Sequence, residues 1–174
     1  MITFGAETRV PTARLLLLSV TVLVLHVGLF SRLSLFAVRP EPFLLLTIVG
    51  ALQLGPSGGA LLGCSAGLAA DLLSSSPLGL WILVCGVIGL TLGTLRGQLN
   101  QERQRITTIL AVLSCTVVGL LLYPTLSFAI SETRYPPPFR FLVIIVIACL
   151  WNLLLSPLFA IVARVVLHPK LPAR

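Results

Sequence analysis

Charge is scarce in this chain, and negative charge is scarcest. Of 174 residues only 5 are Asp or Glu, against 12 Lys or Arg, and the charged fraction is 10%. A soluble domain carries about 25%, so this chain has too little polar surface to clothe a body in water. Enzyme signatures are missing too: there is no phosphate-cradling Gly-Lys-Ser/Thr loop, no nucleophile elbow and no His-Glu-x-x-His. Asp71 is the only carboxylate between Glu41 and Glu102, which leaves a two-acid mechanism inside the apolar part of the chain without its second member. An intramembrane enzyme would need polar groups converging at one depth, and only Asp71 and Asn152 offer themselves. The 4 cysteines, Cys64, Cys85, Cys115 and Cys149, lie within apolar runs and lack the paired spacing of a zinc site or redox dithiol. They are expected to be buried small hydrophobes. His26 has no histidine or carboxylate at ligand spacing, so no metal is expected, and no cofactor.

What the chain has in abundance is hydrocarbon: 57% hydrophobic residues and a mean hydropathy of +1.07. Apolar runs recur from end to end, several near the length that crosses about 30 Å of lipid. The expected class is an all-α integral membrane protein forming one transmembrane domain over residues 1–174. Six spans are predicted, about 15–36, 43–54, 58–73, 78–95, 106–130 and 139–167. The second and third are short and could be a re-entrant pair. The breaks fall at Arg39 to Pro42, Gly55 to Gly58, Ser74 to Pro77 and Tyr135 to Pro138, each rich in turn formers. The run from Leu15 to Leu35 is too long for a cleaved secretory signal, so an uncleaved first helix is expected.

The basic residues stand at the ends of these runs rather than on one face, which argues for membrane orientation and against nucleic acid. With both termini cytoplasmic, the inner side receives Arg9, Arg14, Arg96, Arg103, Arg105, Arg164, Lys170 and Arg174, and the outer side Arg32, Arg39, Arg134 and Arg140. The excess inside favours that arrangement. Its strongest contributor is the basic loop with Arg96, Arg103 and Arg105, a candidate contact for anionic lipid or cytoplasmic filaments.

Gly59, Gly63, Gly67 and Asp71 recur at intervals of four and share one helix face. Gly86, Gly89, Gly93 and Gly97 offer a second stripe in the next span. Small residues let helices approach closely in lipid, so the two spans are predicted to form a close antiparallel hairpin. Ser76 and Pro77 read as the N-cap and first residue of the fourth helix, with Gly79 in the turn. Asp71 then has two readings. It accepts hydrogen bonds from nearby serines and the free amides of that helix, or it meets a polar group on a partner or ligand. Asn152 is expected to form an interhelical hydrogen bond in a sixth helix bent near Pro157. Trp81 is expected at a headgroup boundary and Gln53 at an interface.

The stretch from Arg39 to Leu99 resembles the central region of the bacterial rod shape-determining protein MreD family. The resemblance is carried by Pro40 and Glu41, Gly55 and Pro56, the small-residue run from Gly59 to Asp71-Leu72-Leu73, the Ser76-Pro77-Leu78-Gly79 turn, and the glycine-bearing run from Gly86 to Arg96. The resemblance implies a non-catalytic subunit of the cell-elongation complex in the bacterial inner membrane, organising lateral peptidoglycan synthesis and cell shape. It also implies binding to the bitopic protein MreC and, through it, association with MreB, RodA and a class B penicillin-binding transpeptidase. A fold similar to the substrate-binding subunits of energy-coupling-factor transporters is implied as well. That likeness supplies the alternative function, a small-molecule importer subunit. Such subunits present an Ala-x-x-x-Ala patch on their first helix, and no alanine occurs from Arg14 to Phe36.

Overall fold

The computed structural model describes residues 12–28, 40–74, 78–98, 104–131 and 138–167. Within them the chain is helical: α1 Thr12–Gly28, α2 Pro42–Leu54, α3 Pro56–Leu73, α4 Leu80–Leu95, a 3-10 turn at Arg96–Gln98, α5 Gln104–Ser131 and α6 Pro138–Leu167. Three stretches, Leu80–Gln98, Ile106–Ala129 and Phe139–Ala163, are long and apolar enough to cross a membrane. α1 and α2 are apolar but shorter, with 17 and 13 residues.

Proline sets two of the helix starts. Pro42 and Pro56 occupy the first helical turn, where a missing amide costs nothing, and Gly55 links α2 to α3 at φ +83°. Hydroxyls within the helices bond back to their own turns: Thr47 Oγ1 donates to the Phe43 carbonyl at 2.9 Å, Ser114 to Leu110 at 2.7 Å and Thr91 to Val87 at 2.8 Å. A side chain that bonds its own helix asks nothing of its surroundings, as an apolar solvent requires.

α2 is the hub of the bundle. Eleven of its 13 residues are buried, including Leu44, Leu45 and Ile48, and it packs on α3, α4, α5 and α6. A helix buried all round is possible only because its neighbours surround it and its own side chains are apolar. The outer helices show the reverse: Leu142, Val146, Leu150 and Leu154 of α6 are exposed. Apolar side chains facing outward are those of a protein whose solvent is lipid.

The most extensive interface joins α3 and α4. A Cβ added to Gly59, Gly63 or Gly67 would come under 3.0 Å from a backbone oxygen of α4, those of Gly89, Cys85 and Trp81 respectively. Gly93 in turn lies against the Gly55 carbonyl. The register steps four residues along each helix in opposite directions, as the predicted hairpin requires. On α4 it differs from the expected stripe, running through Trp81, Cys85, Gly89 and Gly93. Gly86 sits at its margin, where an added Cβ would meet only the Cys64 Sγ at 3.0 Å, and Gly97 lies in the 3-10 turn with nothing within 4 Å. A cysteine and a tryptophan fit the seam because their backbone, not their side chain, faces the glycine.

Polar ties complete the bundle. Asn152 of α6 is fully buried and donates through Nδ2 to Thr116 Oγ1 of α5 at 3.0 Å; its Oδ1 has no partner among the described residues. Ser19 of α1 and Ser65 of α3 share a 2.9 Å hydrogen bond. At the opposite end of the α3–α4 pair from Asp71, Arg96 donates through Nη1 to the Gln53 carbonyl at 2.7 Å. That places a cation at the C-terminus of α2, where carbonyls lack partners and the dipole favours positive charge. Arg103 lies outside the described residues, as does the side chain of Arg105. The cysteines differ from expectation: Cys85 alone is buried, and Cys64 is exposed. A thiol is apolar enough to face lipid as readily as a core.

Candidate functional site: the Asp71 end of the bundle

Asp71 is 1% exposed and closes α3 onto α4. Its Oδ2 accepts from the Gly79 amide at 2.9 Å and the Ile82 amide at 3.2 Å, and its Oδ1 from the Trp81 amide at 3.1 Å. Gly79 is the N-cap of α4 and has no side chain with which to cap. The carboxylate of the preceding helix does that work on the cap residue and on the second and third helical amides, where the dipole also favours negative charge. The helix start expected at Ser76 and Pro77 is therefore corrected: α4 begins at Leu80, after Gly79 turns the chain at φ +104°, a conformation open to glycine. Ser76 and Pro77 lie outside the described residues. The amides expected to serve Asp71 do so, whereas the Ser74 hydroxyl instead donates to the Ala70 carbonyl at 2.7 Å.

Trp81 packs at this same end of the bundle. It is 7% exposed, and its indole stacks on Tyr123 of α5 with ring centroids 4.6 Å apart. Stacking on a second aromatic buries most of this large ring.

Beside Asp71 the ends of four helices enclose a cavity of about 140 Å³, lined by His26, Pro40, Glu41, Phe43, Ala70, Leu73, Ser74 and Trp81. The His26 ring is tilted against that of Phe43 with centroids 5.3 Å apart. Sequence spacing separates His26 from any carboxylate, yet folding brings Glu41 to the same cavity. Only pairing of the α1 C-terminus with the α2 N-terminus does this, and no local pattern records it. Among the described residues no three His, Cys, Asp or Glu side chains gather as a metal site.

Glu41 precedes α2 as its N-cap but makes no side-chain capping bond. Burial pushes its carboxyl up to about 7. A carboxyl raised in the folded state favours folding fully below its unfolded value of 4.5, and that contribution is lost as pH rises through 7. Glu41→Gln is thus expected to melt like the parent near pH 4.5 and to be the more stable protein at pH 8. A gap of about 1–2 kcal/mol is expected, discounted for residual solvent. Thermal melts of both proteins at the two pH values in amine-free buffer check this. A constant gap across that range would remove the assignment.

Apolar spanning helices, lipid-facing leucines and hydroxyls bonded back into their own helices together define a helical membrane protein. The family model described as rod shape-determining protein MreD matches residues 8–166. The chain belongs to that family, and is a rod shape-determining membrane protein. No curated protein and no solved structure matches it. The likeness to importer subunits gains no support from these comparisons.

Proposed function

We propose that this chain is a non-catalytic, six-pass subunit of the rod elongation complex of the bacterial inner membrane, with both termini cytoplasmic. It binds an MreC-like bitopic protein and through it works with MreB, RodA and a class B transpeptidase in organising lateral peptidoglycan synthesis. The observation that carries this reading is the glycine-seamed α3–α4 pair in a chain of the MreD family. Two helices locked backbone to backbone form a stiff unit, and its outward residues Leu61, Leu68, Leu83, Val87 and Leu90 are exposed. In lipid, such a surface associates by shape rather than by a hydrophobic gain. Asp71 takes no direct part, because three amides already occupy its carboxylate. The basic loop with Arg103 and Arg105 lies at the anionic cytoplasmic surface and contributes there.

The test is recovery from gentle detergent. An MreC-like protein is expected to accompany the full-length chain, and cells depleted of the chain are expected to lose their rod shape. Depleted cells that keep their shape, or a chain that leaves the membrane without that partner, would defeat the reading.

A further inference from the structure

The cavity at the Asp71 end has hydrogen-bond acceptors on its wall beside the His26 imidazole. Glu41 presents a carboxylate, which in its ionised form has acceptor sites only. Ser74 has spent its hydroxyl hydrogen on the Ala70 carbonyl, so its oxygen offers lone pairs. Among the described residues no lysine or arginine lines the cavity, and the Glu41 carboxylate makes no capping hydrogen bond to α2. Neighbouring Asp71 cannot substitute as a ligand, since its oxygens hold the α4 amides. A site with acceptors, a carboxylate and the aromatic rings of Phe43 and Trp81 selects a cation that donates several hydrogen bonds.

Size and position narrow the choice. The volume of about 140 Å³ is well under the roughly 300–1,000 Å³ of drug-sized sites, so a headgroup fits where a vitamin does not. The cavity lies where helix ends meet, at the depth of the lipid headgroups if the bundle spans a bilayer. Leu72 and Leu78, close in sequence to the lining residues, are 67% and 76% exposed, and Leu73 of the lining itself is 43% exposed. A ligand seated there has its polar end among acceptors and its remainder beside bare leucine side chains. We propose that the cavity between the ends of α1, α2, α3 and α4 binds a primary ammonium group, the ethanolamine headgroup of an aminophospholipid being the source that this polarity gradient fits.

Native mass spectrometry of the full chain tests this in detergent at mildly alkaline pH, with equal amounts of phosphatidylethanolamine, phosphatidylcholine and phosphatidylglycerol. Retention of the ethanolamine lipid over the other two by roughly tenfold is expected, the effect of an ion-paired N–H donor that neither a quaternary ammonium nor an uncharged glycerol supplies. Glu41→Gln should erase that preference, and its melting curve confirms that the variant is folded. Soluble ethanolamine at millimolar concentration is expected not to displace the lipid. Displacement would support the ammonium assignment and move its source to water. Equal retention of all three lipids, or an undiminished preference in Glu41→Gln, would overturn the proposal.

Discussion

Asp71→Ala is expected to cost the protein about 3–5 kcal/mol, a large share of a total that for most domains is about 5–15 kcal/mol. The variant removes one carboxylate and strands three amides, those of Gly79, Trp81 and Ile82. Each buried amide left without an acceptor costs about 1–3 kcal/mol, less whatever water regains access. Asp71→Asn keeps one carbonyl oxygen but turns an amine toward the same amides, so an intermediate loss is expected. Thermal melting in detergent and the steady amount in the membrane report both. The measurement also separates the two readings of this residue. An aspartate reserved for a partner would leave melting unchanged and lose only the complex, whereas a capping aspartate lowers the melting temperature of the isolated chain.

The aspartate's role was legible in outline because its cause is local in chain and simple in physics. A charge at the end of an apolar helix must find donors, and the free amides of the next helix are the nearest ones. The helix start was not legible. Ser76-Pro77 satisfies the local rule for a start, but the cap comes from eight residues away, and a carboxylate reaching Gly79 overrides the hydroxyl's claim. The stripe on α3 was legible through its period of four. Its counterpart on α4 was legible at Gly89 and Gly93 but misread at Gly86 and Gly97; composition marks Gly86 as small, while the register brings the Cys85 carbonyl to Gly63.

The cavity was the least legible feature. Glu41 carried only a turn signal and His26 none, and nothing in the spacing of residues 26, 41, 74 and 81 links them. Their meeting follows from the packing of α1 on α2 and α3 and of α3 on α4. Long-range packing of this kind leaves no periodic trace. The stacking of Trp81 left no trace for the same reason: its partner Tyr123 lies 42 positions further along the chain, on α5.

The seam supports a graded experiment whose largest effect is expected at Gly63. A methyl placed there meets the Cys85 carbonyl group, and backbone on a packed helix cannot step aside as a side chain can. Gly63→Ala must therefore push α3 from α4 along several turns, with an expected cost of about 3 kcal/mol, and Gly63→Leu is expected not to accumulate. Gly86→Ala meets a thiol that can rotate, so its cost should stay under about 1 kcal/mol. Gly97→Ala meets nothing within 4 Å and is expected to be neutral. All three changes add the same methyl group, so hydrophobicity cannot order them, and only distance to backbone does. Melting temperatures falling in any other order would mean that α3 and α4 are not held at the separation described. The stiffness attributed to the pair would go with it, because a hairpin that accepts a methyl at Gly63 has slack between its helices.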